Sequence, residues 1–252
     1  MEKIIYAIVH IREGDGEPKL LSTEICGLTG TGLYFVSYQD IAIAVSDFNL
    51  PKFTVTKELA LNFAQVIETI SRQFNLLPVR FGTFLKSDEQ INHMIIKNYD
   101  SFLDHLFRIA NKFEFGLKVL WDYEKGVESI KVKMESNPAT AETYFSKKSI
   151  HTDYLFEKMM KHRLEEELIH FADQLIEDLS GHFENLEPVC KFKKMVTPQM
   201  VLDALFLVKK EEKDEFVAAI GKLKQQRPEL SFLLTGPWPP YNFTEISIDL
   251  IR

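Results

Sequence analysis

The sequence has little of what several protein classes require. It contains only two cysteines in 252 residues, Cys26 and Cys190, which lie far apart and match no metal-ligand spacing. No apolar run approaches the ~18 residues that a membrane-spanning helix requires, and the N-terminus lacks the basic flank and cleavage site of a signal peptide. We therefore expect a protein without disulfides or membrane spans, in which both thiols are reduced and buried.

Positive charge is also scarce. The chain carries 30 lysines and arginines against 37 aspartates and glutamates, which gives a net charge of -7. A protein that binds nucleic acid non-specifically needs a basic surface that displaces counterions from the phosphates. The strand-like run Val201–Val208 also lacks the pattern of basic, glycine and aromatic residues with which such strands bind RNA. We expect neither nucleic acid nor a membrane surface as a partner.

Recognisable catalytic motifs are absent as well. Gly27, Gly30 and Gly32 suggest a phosphate-binding loop, but such loops lead from a strand into a helix. Here the glycines precede the strand-like run Leu33–Tyr38, so a loop that uses positive φ angles explains them better. No serine occupies a Gly-x-Ser-x-Gly elbow. The sequence therefore predicts no catalytic residue and no cofactor.

One helical stretch does place metal-ligating residue types on one face. His162, Glu166 and His170 follow one another at four-residue spacing, and Asp173 adds a carboxylate; zinc sites use such spacing. The same face lies opposite an apolar stripe and also carries Glu177, which is typical of a solvated helix surface. A di-iron site would need further Glu-x-x-His pairs on other helices, and none is evident. We predict no metal site here.

The first part of the chain has the pattern of a small sheet. The β-branched run Ile4–Ile11 predicts a buried strand, and Leu33–Tyr38 and Ile41–Ser46 are separated by only two residues, which predicts a tight hairpin. LPVRFGTF (Leu77–Phe84) predicts an extended segment with a turn at Gly82. It is expected to close this sheet and lead into a helix.

The sequence also predicts two amphipathic helices that pack on this sheet. Each has apolar residues at i, i+3 and i+4 spacing, so one face of each can be buried on the sheet. Thr56 has the position of an N-cap for the first helix. Ser87–Gln90 has the pattern of a capping box that opens the second.

The rest of the chain follows the order β-α-β-β-α-β, the split arrangement of a ferredoxin-like domain. Its first helical region is enlarged and broken near Asn137-Pro138. The prediction is an α+β protein of two domains: an N-terminal domain of a sheet plus two helices at 1–112, and a modified ferredoxin-like domain at 113–235. A Pro/aromatic C-terminal tail at 236–252 is expected to pack back on the N-terminal domain.

The tail begins with GPWPPYNF (236–243). Its three prolines remove backbone donors, so we expect it to be stiff and extended and to stay out of any sheet ladder. Its large rings lose little entropy on docking. The tail could staple the chain's own domains together or dock on another protein. The candidate structural or interaction residues are Arg80, Phe81, Trp238, Pro239, Pro240, Tyr241 and Phe243.

Arg80 is the charged residue of LPVRFGTF. A guanidinium presents several donors in a fixed plane, so it suits a carboxylate or a group of backbone carbonyls. We expect Arg80 to anchor its segment in this way.

The two segments together resemble a known family. LLPVRFGTF (76–84) followed far along the chain by GPWPPYNF is similar to the gas vesicle protein F/L family (GvpF/GvpL). EFGLKVLW (114–121) and the late strand ALFLV (204–208) agree with that resemblance. The match runs over essentially the whole chain, and both segments are shared by the F and L branches, so the branch stays open.

The resemblance implies a minor structural or accessory protein of gas vesicles, the protein shells that give prokaryotes buoyancy. Its implied role is not enzymatic: it would act in gas vesicle assembly by binding the main hydrophobic shell protein and other accessory proteins, at the gas vesicle within the cytoplasm. The family also implies an N-terminal domain of its own type before the modified ferredoxin-like domain. An alternative of another class is a small-molecule-sensing or enzymatic α/β protein that uses the cleft between its domains.

Overall fold

The computed structural model describes residues 2–11, 26–49, 54–125, 189–192 and 199–244, together with isolated positions between 128 and 178. By its internal contacts the chain divides into two compact units. The N-terminal unit comprises Met1–Glu114 and Pro237–Arg252, and the second unit comprises Phe115–Gly236. Each unit is described separately.

The N-terminal unit is built on a five-stranded sheet with β1 near its centre. The sheet order is β2-β3-β1-β4, β5 also pairs with β1, and these pairings are antiparallel. Gln39 turns the β2–β3 hairpin with a φ of 53°, which confirms the predicted tight connection. The strands are β1 (Glu2–His10), β2 (Leu33–Tyr38), β3 (Ile41–Phe48), β4 (Leu76–Pro78) and β5 (Phe84–Leu85).

Two helices, α1 (Lys57–Ser71) and α2 (Asp88–Ile109), accompany the sheet, and both begin where the sequence predicts. The hydroxyl of Thr56 accepts a hydrogen bond from the Leu59 amide, which caps α1. The hydroxyl of Ser87 accepts one from the Gln90 amide, and the Gln90 side chain accepts one from the Lys86 amide at 2.9 Å. The bonds to Thr56 and Ser87 each satisfy a backbone donor that a helix start leaves without a partner, so both predicted N-caps are confirmed. The bond to Gln90 comes from the residue before the N-cap and not from Ser87, so the reciprocal bond of a capping box is displaced by one residue.

The core of the N-terminal unit forms around β1. All six residues from Ile4 to Val9 are fully buried, so both faces of this strand are covered. Phe63 and Ile67 of α1 pack into the same cluster as Tyr6, and the Tyr6 and Phe63 rings stack with their centroids 5.1 Å apart. Full burial of each such side chain contributes roughly 1.5–3 kcal/mol.

The second unit contains most of a four-stranded sheet with the order β7-β8-β6-β9. Phe216 of helix α3 (Lys213–Gln226) packs on it, with its ring 5.1 Å from Phe115 and 5.3 Å from Phe206. The strands are β6 (Lys112–Trp121), β7 (Val189–Phe192), β8 (Met200–Lys209) and β9 (Leu230–Trp238), of which β6 and β9 continue into the N-terminal unit.

The enlarged helical region expected between β6 and β7 is only partly described. The described positions from 123 to 178 are helical, and Leu175 of the expected apolar stripe is fully buried. The other members of that stripe and the break at Asn137-Pro138 lie outside the described residues. In the part of the chain that is described, no helix is long and apolar enough to cross a membrane.

The prediction that the prolines exclude GPWPPYNF from a sheet ladder is wrong for its first residues. Strand β9 continues through Gly236, Pro237 and Trp238. The strand lies at the edge of its sheet, next to β6. Proline is tolerated in an edge strand because an amide that faces solvent makes no ladder bond, so its loss costs little.

The prediction that both thiols are buried is also wrong. Both cysteines are free, but Cys26 is exposed, opposite Gly32 in an isolated bridge before β2. Cys190 in β7 is half-buried, and this burial raises the pKa of its thiol to about 11.

Candidate interaction surface

LPVRFGTF forms the edge of the N-terminal sheet. Its first residues belong to β4 and its last to β5, and both short strands pair with β1. The turn between them has Gly82 at a φ of 87°, and the Thr83 hydroxyl donates a hydrogen bond to the Arg80 carbonyl at 2.8 Å. The predicted turn and the predicted closing of the sheet are both confirmed.

Within this turn, Phe81 and Arg80 have different environments. Phe81 is half-buried, and its ring lies 5.0 Å from that of Phe63, so it extends the core. The Arg80 side chain is exposed. Among the described residues, no carboxylate or carbonyl accepts a hydrogen bond from its guanidinium, so the anchor expected from the sequence is not observed.

After β9, the remaining residues of GPWPPYNF (239–243) form a turn that local hydrogen bonds hold. The Tyr241 amide donates to the Pro239 carbonyl at 2.8 Å, and the Thr244 hydroxyl donates to the Pro240 carbonyl at 3.2 Å. Both of these prolines are buried, and Phe243 is only 6% exposed. The turn is therefore anchored by the burial of Pro239, Pro240 and Phe243.

Glu114 fixes this turn to the N-terminal unit. Its side chain is buried, with one oxygen accepting from the Asn242 backbone amide at 2.7 Å and the other from the Asn242 side-chain amide at 2.5 Å. A buried carboxylate is costly unless donors compensate for the lost water. The pair was not foreseen from the sequence, although a glutamate between Phe113 and Phe115 is a signal that the carboxylate needs a buried partner.

Two rings remain at the surface of this seated turn. Trp238 is 47% exposed and Tyr241 is 39% exposed. Tyrosine and tryptophan on a rigid support offer a large apolar area at low entropic cost, and such residues often dominate protein–protein binding. We call Trp238 and Tyr241, with the turn that carries them, the aromatic turn.

The electrostatic environment of Tyr241 gives a testable pH effect. Burial, and then the charges of Glu114 and Glu68, raise the pKa of Tyr241 to about 12. The native state keeps a proton that the unfolded chain releases near pH 10. The contribution of this group to the free energy of unfolding is therefore fully present below pH 10 and is lost as the pH rises from 10 to about 12. The difference in phenolate absorbance between the parent and Tyr241→Phe should titrate near pH 12. A midpoint near pH 10 would contradict the placement of this ring.

The helical face that carries the metal-ligating residue types His162, Glu166 and His170 is exposed. His162 lies 3.4 Å from Glu166, and the His170 ring lies 3.1 Å from the Gln174 amide; each partner is four residues further along the chain. Across the described positions, no group of three or more His, Cys, Asp or Glu side chains is arranged to hold a metal ion.

A shallow depression of about 260 Å³ in the N-terminal unit lies between the glycine-containing loop and α1. Gln65 and Thr69 line it from the helix, and Cys26 lines it from the loop. Its described lining residues include no histidine, lysine or carboxylate.

Comparison with known proteins decides the family. Residues 3–245 match the family model described as "Gas vesicle synthesis protein GvpL/GvpF". The chain belongs to the GvpL/GvpF family. The resemblance inferred from LPVRFGTF and GPWPPYNF is thereby confirmed.

Relatives from both branches of the GvpL/GvpF family are similar to this chain. Gas vesicle protein F of Microcystis aeruginosa is 24% identical over 204 residues, which cover 77% of this chain and 80% of that protein. Gas vesicle protein L1 of Halobacterium salinarum is 26% identical over an alignment that covers 96% of this chain and 89% of that protein. These identities are too close to assign this GvpL/GvpF protein to one branch.

Solved structures of GvpF have the same fold. The crystal structure of GvpF from Anabaena aligns with a TM-score of 0.82 at 17% identity and covers 98% of this chain and 99% of that one. GvpF from Microcystis aeruginosa aligns with a TM-score of 0.72 at 18% identity and covers 97% and 99%. This GvpL/GvpF protein therefore has a mixed α+β fold with two sheets.

Proposed function

We propose that this protein is a non-catalytic accessory protein of gas vesicles that binds the main hydrophobic shell protein and other accessory proteins during assembly. It acts at the gas vesicle, within the cytoplasm. The observation that supports this proposal is membership of the GvpL/GvpF family over residues 3–245.

We further propose that the aromatic turn is the binding element. Trp238 is half-exposed although it is a large ring, while its neighbours Pro239, Pro240 and Phe243 are buried. The Glu114–Asn242 pair holds the same turn in place. If this segment served only to pack within the chain, burial of the Trp238 ring would stabilise the fold by about 25 cal/mol for each Å² of apolar surface removed from water. The exposure of Trp238 therefore favours docking on another protein.

The proposal includes a fold assignment for the second unit. We propose that 113–235 is a modified ferredoxin-like domain with an enlarged first helical region and that 236–252 is a tail on the N-terminal domain. The strand order β7-β8-β6-β9, with α3 packed on the sheet between β8 and β9 in sequence, supports this assignment.

Truncation of the exposed ring tests the binding role. Trp238→Ala should raise the dissociation constant for the shell protein at least about 30-fold and so reduce its co-purification, because truncation of a central aromatic at an interface costs about 2 kcal/mol or more. The melting temperature should change little, since the ring is half-exposed. The measurement is a pull-down of the tagged full chain, co-expressed with the shell protein and with the other gas vesicle proteins.

Phe107→Ala is the matched control, because Phe107 is also a large exposed ring, at 61%, and lies on α2. It should bind as the parent does. Equal retention of the shell protein by the parent, Trp238→Ala and Phe107→Ala would show that the aromatic turn is not the binding element.

A further inference from the structure

Strand β9 is an uncharged edge. Among the strands that the structure describes, it is the outermost of the β7-β8-β6-β9 sheet, next to β6. None of its nine residues, Leu230–Trp238, carries an ionisable side chain, in a chain in which 27% of residues are charged. Leu233 is 55% exposed, and Ser231 and Thr235 on the same side of the strand are exposed as well.

Edge strands normally carry features that prevent further pairing. An open edge presents unpaired backbone N–H and C=O groups, and proteins usually block it with lysines, prolines or bulges. In β9 such features occur only at one end, where Gly236 has a φ of 114° and Pro237 follows. The six residues Leu230–Thr235 before them carry no charge, proline or bulge, and within the described part of the chain no strand pairs with their outer side. This stretch of edge is therefore able to accept another strand.

We propose that β9 pairs with β9 of a second copy of this chain, antiparallel and about a two-fold axis. The two four-stranded sheets then form one continuous sheet. This inference goes beyond the proposed function and does not depend on it.

The two-fold axis restricts the register. Residues that are directly opposite in an antiparallel pair lie on the same face of the sheet, and sides alternate along a strand. Pairing about the two-fold axis therefore joins odd-numbered residues to odd-numbered ones and even-numbered residues to even-numbered ones. The register centred on Leu233 places Leu233 opposite its own copy and Phe232 opposite Leu234. This register covers the exposed Leu233 side chain with the same side chain of the second copy.

The charge pattern favours a second copy as the occupant. The whole chain carries a net charge of -7, so most of its surface repels an identical chain. A two-fold contact places each residue near its own copy, and like charges directly opposite in a sheet destabilise the pair. Strand β9 has no charge to repel. It is thus a surface that an identical chain can approach without that cost.

The oligomeric state of the full-length protein tests the proposal. Light scattering after size exclusion at about 50 μM should give twice the 29.2 kDa of the chain. Leu233→Lys should raise the dimer dissociation constant at least about tenfold, because it places two lysines opposite each other. Leu61→Lys, at a leucine of α1 that is 60% exposed, should leave the dimer unchanged.

A cross-link tests the register independently. In a background of Cys26→Ser and Cys190→Ser, Leu233→Cys should form an intermolecular disulfide when oxidised glutathione is added, since facing residues bring the two Cα atoms within disulfide range. Leu61→Cys in the same background should not form one. A monomeric parent, a Leu233→Lys dimer as tight as the parent, or a dimer that Leu233→Cys does not cross-link would each overturn the proposal. The proposal would also be overturned if the parent were monomeric and Leu233→Lys abolished its binding to a different gas vesicle protein. That protein would then be the partner that pairs with the edge of β9.

Discussion

Replacement of Gly27 by alanine should lower the free energy of unfolding by about 3 kcal/mol. A Cβ atom at this position would lie 2.1 Å from Oγ and 2.5 Å from Cβ of Ser46, and 2.7 Å from the Tyr6 hydroxyl. Those two side chains are buried and hydrogen-bonded to each other at 2.9 Å, and Tyr6 also accepts from the Leu28 amide. The substitution therefore overpacks the site and separates buried hydrogen-bonding groups, which together account for a loss of this size. Urea unfolding followed by circular dichroism measures it.

The chain offers a matched control in the same loop. Gly32→Ala should change the free energy of unfolding by less than about 0.5 kcal/mol, because no atom lies within 4 Å of its added Cβ. Adding Ser46→Gly to Gly27→Ala removes the two closest clashing atoms and should recover part of the loss. A Gly27→Ala protein as stable as Gly32→Ala would show that the loop does not approach Ser46 as described.

The second large effect is expected at Glu114. Glu114→Gln should destabilise the N-terminal unit by about 2–3 kcal/mol, because both charge-assisted bonds to Asn242 become neutral ones. Each bond loses about 1–1.5 kcal/mol, since a hydrogen bond to a charged group contributes about 1.5–3 kcal/mol and a neutral one about 0.5–1.5 kcal/mol. The aromatic turn should also become sensitive to limited proteolysis. The measurement is urea unfolding together with mass spectrometry of the cleaved chain.

Two further variants show whether the loss at Glu114 comes from this pair. Glu89→Gln changes an exposed glutamate in the first turn of α2 and should cost only a few tenths of a kcal/mol. Asn242→Ala combined with Glu114→Gln should cost less than the sum of the two single changes, since both remove the same interaction. Additive losses would contradict the pairing of these two residues.

Much of the fold could be predicted because local chemistry determines it. Thr56 and Ser87 cap helices by bonds to amides three residues away. The β2–β3 hairpin is set by two turn residues, and Gly82 supplies the positive φ of the turn after β4. These features depend on neighbours in the chain, so a sequence pattern is sufficient to find them.

The candidate site was less predictable because long-range contacts determine it. Glu114 and Asn242 are 128 positions apart, and no local pattern indicates that they meet. The presence of Pro237 in a strand depends on β9 being an edge, which only the strand order of the sheet reveals. The exposure of Arg80, where an anchor was expected, likewise depends on which groups the fold brings near it.

The most direct measurement of the proposed function is the number of gas vesicles in cells that lack this gene. Electron microscopy of the deletion strain should show few or no vesicles, and the cells should fail to float. The parent gene on a plasmid should restore both properties, and the Trp238→Ala gene should restore them poorly. A deletion strain with vesicles of normal number and shape would contradict a role in gas vesicle assembly.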